Sequence, residues 1–472
     1  MNANLFRLVF SSARGMWVPV WEGARARCAG GRGGARRKTQ HAVLQVSAGT
    51  LLLLVSAAHA ELPVPCGGTC GVNGNLSWLS NGSARILPTE VTATGSRLPI
   101  HQESQRAILN WQSFNIGAGN EVEFRQDFGA AAATLNRIYQ GSASEILGNI
   151  KASGQVYLIN QNGIIFGNGA QVNTGSLVAS ALNISDDDFD KGGIYSQVTG
   201  VQSVFSWEEG GVEYAASFIR VDAGAKLATS PGGVVMVLAP KVENYGSISA
   251  PGGQAVLAAG AKVYLSLLSD SEVSGLPQDS ALKGFAGLLV EVDPHASGLG
   301  GEVINGNGQK DGLGKLIGQI VAERGNITLA GLAVNQMGRV TATTSVRQKG
   351  SIMLLAADTK ASSDSARTAI PLGQRTGALT LGKGSITEVL PELNDPVTSL
   401  DEQDFNPSSV DVVGKSIDMQ ENAVIVAPGG RVNLAAQQST LLQPSGSFVN
   451  DSRIYMAPAS RINLAGSSDA CA

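Results

Sequence analysis

Eleven-residue segments recur along this chain. SPGGVVMVLAP (230–240) and APGGQAVLAAG (250–260) begin 20 residues apart, and APGGRVNLAAQ (427–437) is a third copy. RGNITLAG (324–331), KGSIMLLAA (349–357) and TGALTLGKGSI (376–386) are related units. Each is a glycine turn followed by a short strand of alternating apolar residues. A second strand type lies between copies, VENYGSISA (242–250), echoed by VNQMGRVTA (334–342). Short strands at a period near 20 with glycine corners imply a solenoid, because one such unit cannot bury its apolar face alone. A sandwich or propeller would carry more than the 5% aromatic residues found here, and hairpin dipeptides at longer spacing. The predicted fold class is therefore all-β, a parallel β-helix with rungs about 4.8 Å apart. Roughly 12–16 rungs would give a rod about 60–75 Å long. Residues 268–315 and 359–412 break the period. Within the latter, TEVLPELNDPVTSLDEQD (387–404) is acidic and contains proline, and reads as an extra-helical insertion.

Residues 154–180, GQVYLINQNGIIFGNGAQVNTGSLVAS, carry no charge. Stacked rungs explain this, since charges repeated every ~4.8 Å would repel or be desolvated. Amides can instead bond to copies of themselves and to corner backbone groups. The reading places strands at 155–159 and 164–166. It places Asn160, Asn162 and Asn173 at turns, with Gly154, Gly163, Gly167, Gly169 and Gly175 at corners that permit positive φ.

The first 60 residues differ in kind from the rest. They hold eight basic residues and one acidic, ending in Arg36, Arg37 and Lys38, before the apolar run AVLQVSAGTLLLLVSAA (42–58). Small residues at Ala58 and Ala60 then mark a signal-peptide cleavage site after Ala60. A membrane anchor is the alternative, but the run is short and diluted by polar residues. Residues 61–472 hold 26 basic against 37 acidic residues, a net of −11. That balance disfavours a nucleic-acid partner.

The mature chain offers little chemistry. His101 and His295 stand far apart, no His/Cys cluster has zinc spacing, and no nucleotide-binding or nucleophile-elbow motif is present. No cofactor or metal is expected, and no enzymatic activity. Cys66 and Cys70, in CGGTC, read as a short-loop disulfide in an oxidising compartment, with a redox-active pair as the alternative. Cys471 is left over. Asp186–Asp190 reads as a solvated turn, with a calcium loop as the alternative.

The opening segment MNANLFRLVFSSARGMWVPVWE (1–22) resembles the extended signal-peptide region of large Gram-negative exported proteins of the type V secretion class. WQSFNIGAGNEVEF (111–124), NRIYQGSASEILGNIKASGQVYLINQNGIIFG (136–167) and GSLVASALNIS (175–185) together resemble the N-terminal secretion domain of the filamentous haemagglutinin family. The resemblance covers about residues 76–268. It implies a right-handed parallel β-helix with an N-terminal cap and extra-helical strands. It also implies an exported, adhesin-like protein of the secreted or surface fraction. Its partners would be the general secretory machinery, a cognate outer-membrane β-barrel with periplasmic domains, and a host-surface or glycan ligand. A haemolysin or contact-dependent toxin module, or a shortened fragment of a larger exoprotein, is the alternative. The implied organisation is a signal peptide (1–60), a secretion domain (61–310) and β-helical shaft repeats (311–472).

Within the family motif, Asn160, Gln161, Asn162, Gly163 and Ile164 fall at the secretion turn, where Gln161 replaces the family's usual proline. Trp111, Phe114, Asn115, Asn136 and Arg137 fall in the cap motif, with Trp111 and Phe114 expected in its core. Asn160 and Asn162 either shape a tight turn or contact the transporter directly.

Overall fold

Three strand types alternate along the chain, two with alternating burial and one buried throughout. The computed structural model describes residues 6–11, 16–21, 61–71, 74–195, 203–207, 217–267, 287–293, 300–345, 348–357, 376–392, 407–437 and 451–466. They fall in two units, Met1–Val55 and Ser56–Ala472. In the first, Phe6–Ser11 pairs antiparallel with Met16–Trp21. The cleavage positions Ala58 and Ala60, together with His295 and Cys471, lie outside the described residues.

The second unit is a parallel β-helix with three sheets. One turn runs from Gln155–Ile159 in sheet one, through Ile164–Phe166 in sheet three and Gln171–Thr174 in sheet two, to Ser176–Ser180 back in sheet one. Among the described residues, sheet one has ten parallel strands from Arg106–Ser113 to Arg431–Ala436. The ten described strands of sheet one span about 45–50 Å, and sheet two has eleven described parallel strands, fewer than the repeat count suggested. Among the described residues, Asp186–Asp190, Ser203–Ser206, Lys262–Leu267, Leu288–Asp293 and the 306–318 connection lie outside the rungs. At the N-terminal end, Val64–Pro65 and Leu79–Asn81 pair antiparallel with Arg106–Ser113, and Ala84–Ile86 with Ser96–Gln102, closing the first edges.

Sheets two and three alternate inward apolar and outward polar residues. Val122, Ile150, Val172, Leu227, Ile248, Ile320 and Val340 stack in register through sheet two, all fully buried. Sheet one is buried on both faces, which is why VVMVLA, QAVLAA and SIMLLA read as continuous apolar runs. Part of its outer face is covered by an antiparallel sheet of Ser203–Ser206, Lys262–Leu267 and Leu288–Asp293. The short helix Asp186–Asp190 contributes Phe189 to the same cluster. The acidic run is thus a helix and not a turn. Ser185 caps it by accepting from the Asp188 N–H, and its three leading carboxylates sit at the positive end of the helix.

Two expected breaks in the period need correction. Glu302–Asn305 and Ala378–Leu381 are ordinary rungs of sheet three. Ile386–Pro391 is a rung of sheet two, so 387–391 belongs to the helix and not to the acidic insertion. Residues 393–406 lie outside the described residues.

Glycine sets the corner between sheets two and one by close approach. A Cβ on Gly175 would lie 2.4 Å from the Ser153 oxygen, on Gly233 2.0 Å from that of Gly175, on Gly253 1.8 Å from that of Gly233, and on Gly325 2.3 Å from that of Gly253. Each glycine lies against the carbonyl of the preceding rung, leaving no room for a side chain. Of the five corner glycines in 154–180, Gly163 and Gly169 have positive φ (103° and 92°). Gly154 and Gly175 are required by space, each facing a backbone oxygen at 2.4 Å, whereas a Cβ on Gly167 would meet only the end of the Leu147 side chain. Asn173 lies within Gln171–Thr174 with its side chain outward, not at a turn.

The amide ladder exists, but elsewhere than expected. Asn244 Nδ2 donates to Asn305 Oδ1 (2.7 Å), and Asn305 Nδ2 donates to Gln336 Oε1 (2.8 Å). Gln336 Nε2 closes the ladder on the Ile386 oxygen (2.9 Å). All three amides are fully buried. In 154–180, Gln155, Asn160 and Asn162 use their amides on backbone and hydroxyl groups.

Charges do stack where their signs alternate. Glu121, beside Arg97 in register, accepts from Arg97 Nε (2.6 Å) and pairs with Lys151 (2.8 Å). Burial pushes the Glu121 carboxyl up, but Lys151 and Arg97 hold it below the usual glutamate range. Its contribution is therefore present above the unfolded-state pKa and lost as pH falls through the folded one. Glu121→Gln should destabilise the protein at pH 7 and flatten the acid limb of a melting-temperature profile below about pH 4.5. An unchanged limb would remove Glu121 from the account.

Candidate functional site

Asn160 ends a sheet-one strand and is fully buried. Its carbonyl accepts from the Gly163 N–H (2.8 Å) and its Oδ1 from the Asn162 N–H (2.9 Å), superposing a β-turn and an Asx-turn. Its Nδ2 donates backwards to the Ser142 oxygen (3.1 Å) and Ser144 Oγ (2.9 Å). Asn162 Nδ2 donates to the Gln140 oxygen (2.8 Å). On the other side, Ser217 Oγ donates to the Gln161 oxygen (2.6 Å). A Cβ on Gly163 would lie 2.4 Å from the Phe218 oxygen. Ile164 enters the core between Ser144 and Ile219. The turn therefore stitches three successive rungs together.

Gln161 occupies the second position of the turn. Its Nε2 is buried without a partner. Proline pre-sets the φ of this position, and substitutions to proline at compatible sites stabilise by about 0.4–1 kcal/mol. Gln161→Pro should therefore raise the melting temperature by a few degrees, and a fall would show that the turn rejects the ring.

The cap residues form a second constellation. Trp111 and Phe114 are fully buried and meet edge to face at 5.2 Å, with Trp78 on the far side of Trp111 at 5.9 Å. Trp111 Nε1 donates to Asn136 Oδ1 (2.9 Å), and Asn136 Nδ2 donates to the Tyr157 oxygen (3.0 Å). Arg137 bonds to the Ile184 oxygen and to the Asp186 carboxylate, tying the covering helix to sheet one. Asn115 Oδ1 accepts from the Glu145 N–H (2.9 Å), and its Nδ2 donates to Glu61 Oε1 (2.8 Å). Cys66 and Cys70 are joined by a disulfide beside this strand.

Gln140 links the two groups and was not singled out from the sequence. Its Oε1 accepts from the Phe114 N–H (2.9 Å), its Nε2 donates to the Ala143 oxygen (2.8 Å), and its own carbonyl receives Asn162. Its position beside Gly141 in a corner was the available signal. No group of three His, Cys, Asp or Glu side chains that could hold a metal ion occurs among the described residues.

Residues 80–354 match the TPS secretion domain, and residues 1–54 match the extended signal peptide of the type V secretion system. A heme/hemopexin-binding protein of Haemophilus influenzae strain Rd is 30% identical over 215 residues, 43% of this chain and 22% of that protein. A second Haemophilus influenzae protein of that name is 41% identical over 91 residues, 19% of this chain and 10% of its own. The chain thus matches less than a quarter of the length of these relatives. The crystal structure of the HMW1 secretion domain from Haemophilus influenzae superposes with a TM-score of 0.56 at 21% identity, covering 82% of this chain and 84% of that one. That likeness establishes the fold. Signal peptide and secretion domain together mark a protein exported through the periplasm to the cell surface or medium. With more than half of its length matched, the chain belongs to the family of two-partner secretion exoproteins, of which it carries the TPS secretion domain.

Proposed function

We propose that residues 61–310 address the chain to its own outer-membrane β-barrel, that residues 311–472 continue the rod as a shaft, and that the exported product is adhesin-like. The observation that supports this reading most is the turn Asn160–Ile164. It bonds to the rungs on both sides and it coincides with the family motif. Asn160 spends its side-chain bonds inside the fold, so a transporter could read it only before the rungs close. Its role in the folded protein is to lock the turn. The division at 310 is one of task, since parallel pairing runs unbroken from Glu302–Asn305 to Ala333–Gln336.

A match to under a quarter of the heme/hemopexin-binding relatives does not carry their ligand to this chain. The test is secretion from a Gram-negative host with and without the neighbouring barrel protein. Appearance outside only with the barrel supports the reading. Equal appearance without it, or periplasmic retention despite a barrel that exports its own control substrate, would overturn it.

A further inference from the structure

Six Asn-Gly pairs occur in the chain, beginning at Asn73, Asn81, Asn162, Asn168, Asn305 and Asn307. In such a pair the glycine nitrogen can attack the side-chain amide carbon before it, because no Cβ stands in the way. The nitrogen must lose its proton first, so an N–H held by an acceptor is protected. Asn73 lies outside the described residues. The fold holds four of the other five. Asn162 Nδ2 donates to the Gln140 oxygen (2.8 Å), and the Gly163 N–H to the Asn160 oxygen (2.8 Å). Asn305 is fully buried in the amide ladder, and the Gly306 N–H donates to the Asn244 oxygen (2.8 Å). Asn81 Nδ2 donates to the Asp190 carboxylate (2.7 Å), and the Gly82 N–H to Asn81 Oδ1 (2.7 Å). Asn168 lays its Oδ1 against the next rung, where a Cβ on Gly224 would lie 2.2 Å from it.

Asn307 differs in each respect. It is exposed, as is Gly308, in the 306–318 connection between Glu302–Asn305 and Gln319–Ala322. Its Oδ1 accepts from the Gln309 N–H (3.0 Å), which folds the side chain back over its own following peptide. Among the described residues, neither Asn307 Nδ2 nor the Gly308 N–H has an acceptor. We propose that Asn307 is the site at which the folded, exported chain deamidates spontaneously. The Gly308 nitrogen gives its proton to solvent and bonds to Asn307 Cγ. The Cγ–Nδ2 bond breaks, and Nδ2 takes a proton from solvent and leaves as ammonia. Water then opens the five-membered imide at either carbonyl, giving aspartate or isoaspartate. Both products add a carboxylate, and isoaspartate also adds a methylene to the main chain. The change falls in a connection, so the paired strands on either side keep their register.

The experiment incubates the purified mature chain at mildly alkaline pH, folded and in urea, and follows each asparagine by peptide mass spectrometry. Fragment ions separate Asn305 from Asn307, and isoaspartyl methyltransferase labels the isoaspartate. In the folded chain Asn307 should convert faster than the other four. The lead over Asn162 and Asn305 should be about tenfold, since each bond that must be released slows the attack by about two- to tenfold. In urea the five rates should converge. The rate at Asn307 should rise with pH, and Asn307→Gln, whose longer side chain closes the ring poorly, should abolish the label there. Conversion of Asn307 no faster than that of the other four when folded, the same spread of rates in urea, or aspartate formed without isoaspartate would overturn the proposal.

Discussion

Gly253→Ala should be among the most damaging single-methyl changes in the molecule. The added carbon would lie 1.8 Å from the Gly233 carbonyl oxygen, well inside contact distance. A backbone oxygen cannot swing aside as a side chain can. The rung must separate from its predecessor, and the Asn326 N–H bond to the Gly253 oxygen (2.9 Å) would move with it. The expected loss is about 3–5 kcal/mol, the range of severe core disruptions. A solenoid need not unfold in one step, so a single melting temperature would understate the effect. Amide exchange resolved by segment is the better readout. Protection should fall in Val234–Ala239, Gln254–Ala259 and Asn326–Gly331, and survive near Trp111. Uniform loss, or none, would contradict a corner fixed by rung-to-rung contact. Gly232→Ala is an informative control, since no atom lies within 4 Å of its Cβ position. It carries a φ of +82°, so only a conformational cost of about 1 kcal/mol is expected.

The second large effect is predicted at Asn305. Leucine keeps the branched four-atom skeleton of the side chain but breaks the buried ladder at its centre. Asn244 Nδ2 would lose its acceptor, Gln336 Oε1 one of its two donors, and the Gly318 oxygen its Nδ2 contact (3.2 Å). Each orphaned buried group costs about 1–3 kcal/mol, and the apolar gain of leucine offsets part of that. A net loss of about 3 kcal/mol is expected, measured by denaturant unfolding. Asn305→Gln keeps both functions of the amide and should recover part of the loss. A neutral Asn305→Leu would mean that the ladder is incidental to stability.

The rungs were legible in the sequence because apolar alternation and corner glycines are local signals. Gln155–Ile159 and Ile164–Phe166 could be read residue by residue. The corner glycines were legible as positions but not as causes. Space and positive φ both demand glycine, and only the packing separates Gly175 from Gly163. The ladder was misplaced for a related reason. Asn244, Asn305 and Gln336 are separated by 61 and 31 residues, and an irregular excursion between the first two hides their common register. The helix Asp186–Asp190 was missed because its five residues carry too little periodicity. What makes it a helix is Ser185 before it and the apolar face it covers. In the secretion turn the residue types were readable, but the burial of Asn160 and the linking role of Gln140 depend on rungs above and below.

Most of the long connections between rungs share one edge. Residues 181–217, 260–301, 357–377 and 437–452 each connect a sheet-one strand to a sheet-three strand, whereas 306–318 connects sheet three to sheet two and 392–408 connects sheet two to sheet one. From Gly175 to Gly325 the corner between sheets two and one is held by the glycine stack. In those rungs one edge is thus reserved for register and another is open to growth. Chain can be added at the open edge without shifting any strand's partner. In descent, such an edge is where relatives can diverge in length and decoration while their cores still superpose. In the laboratory, it is where a reporter or epitope can be spliced in while the rungs above and below stay in step.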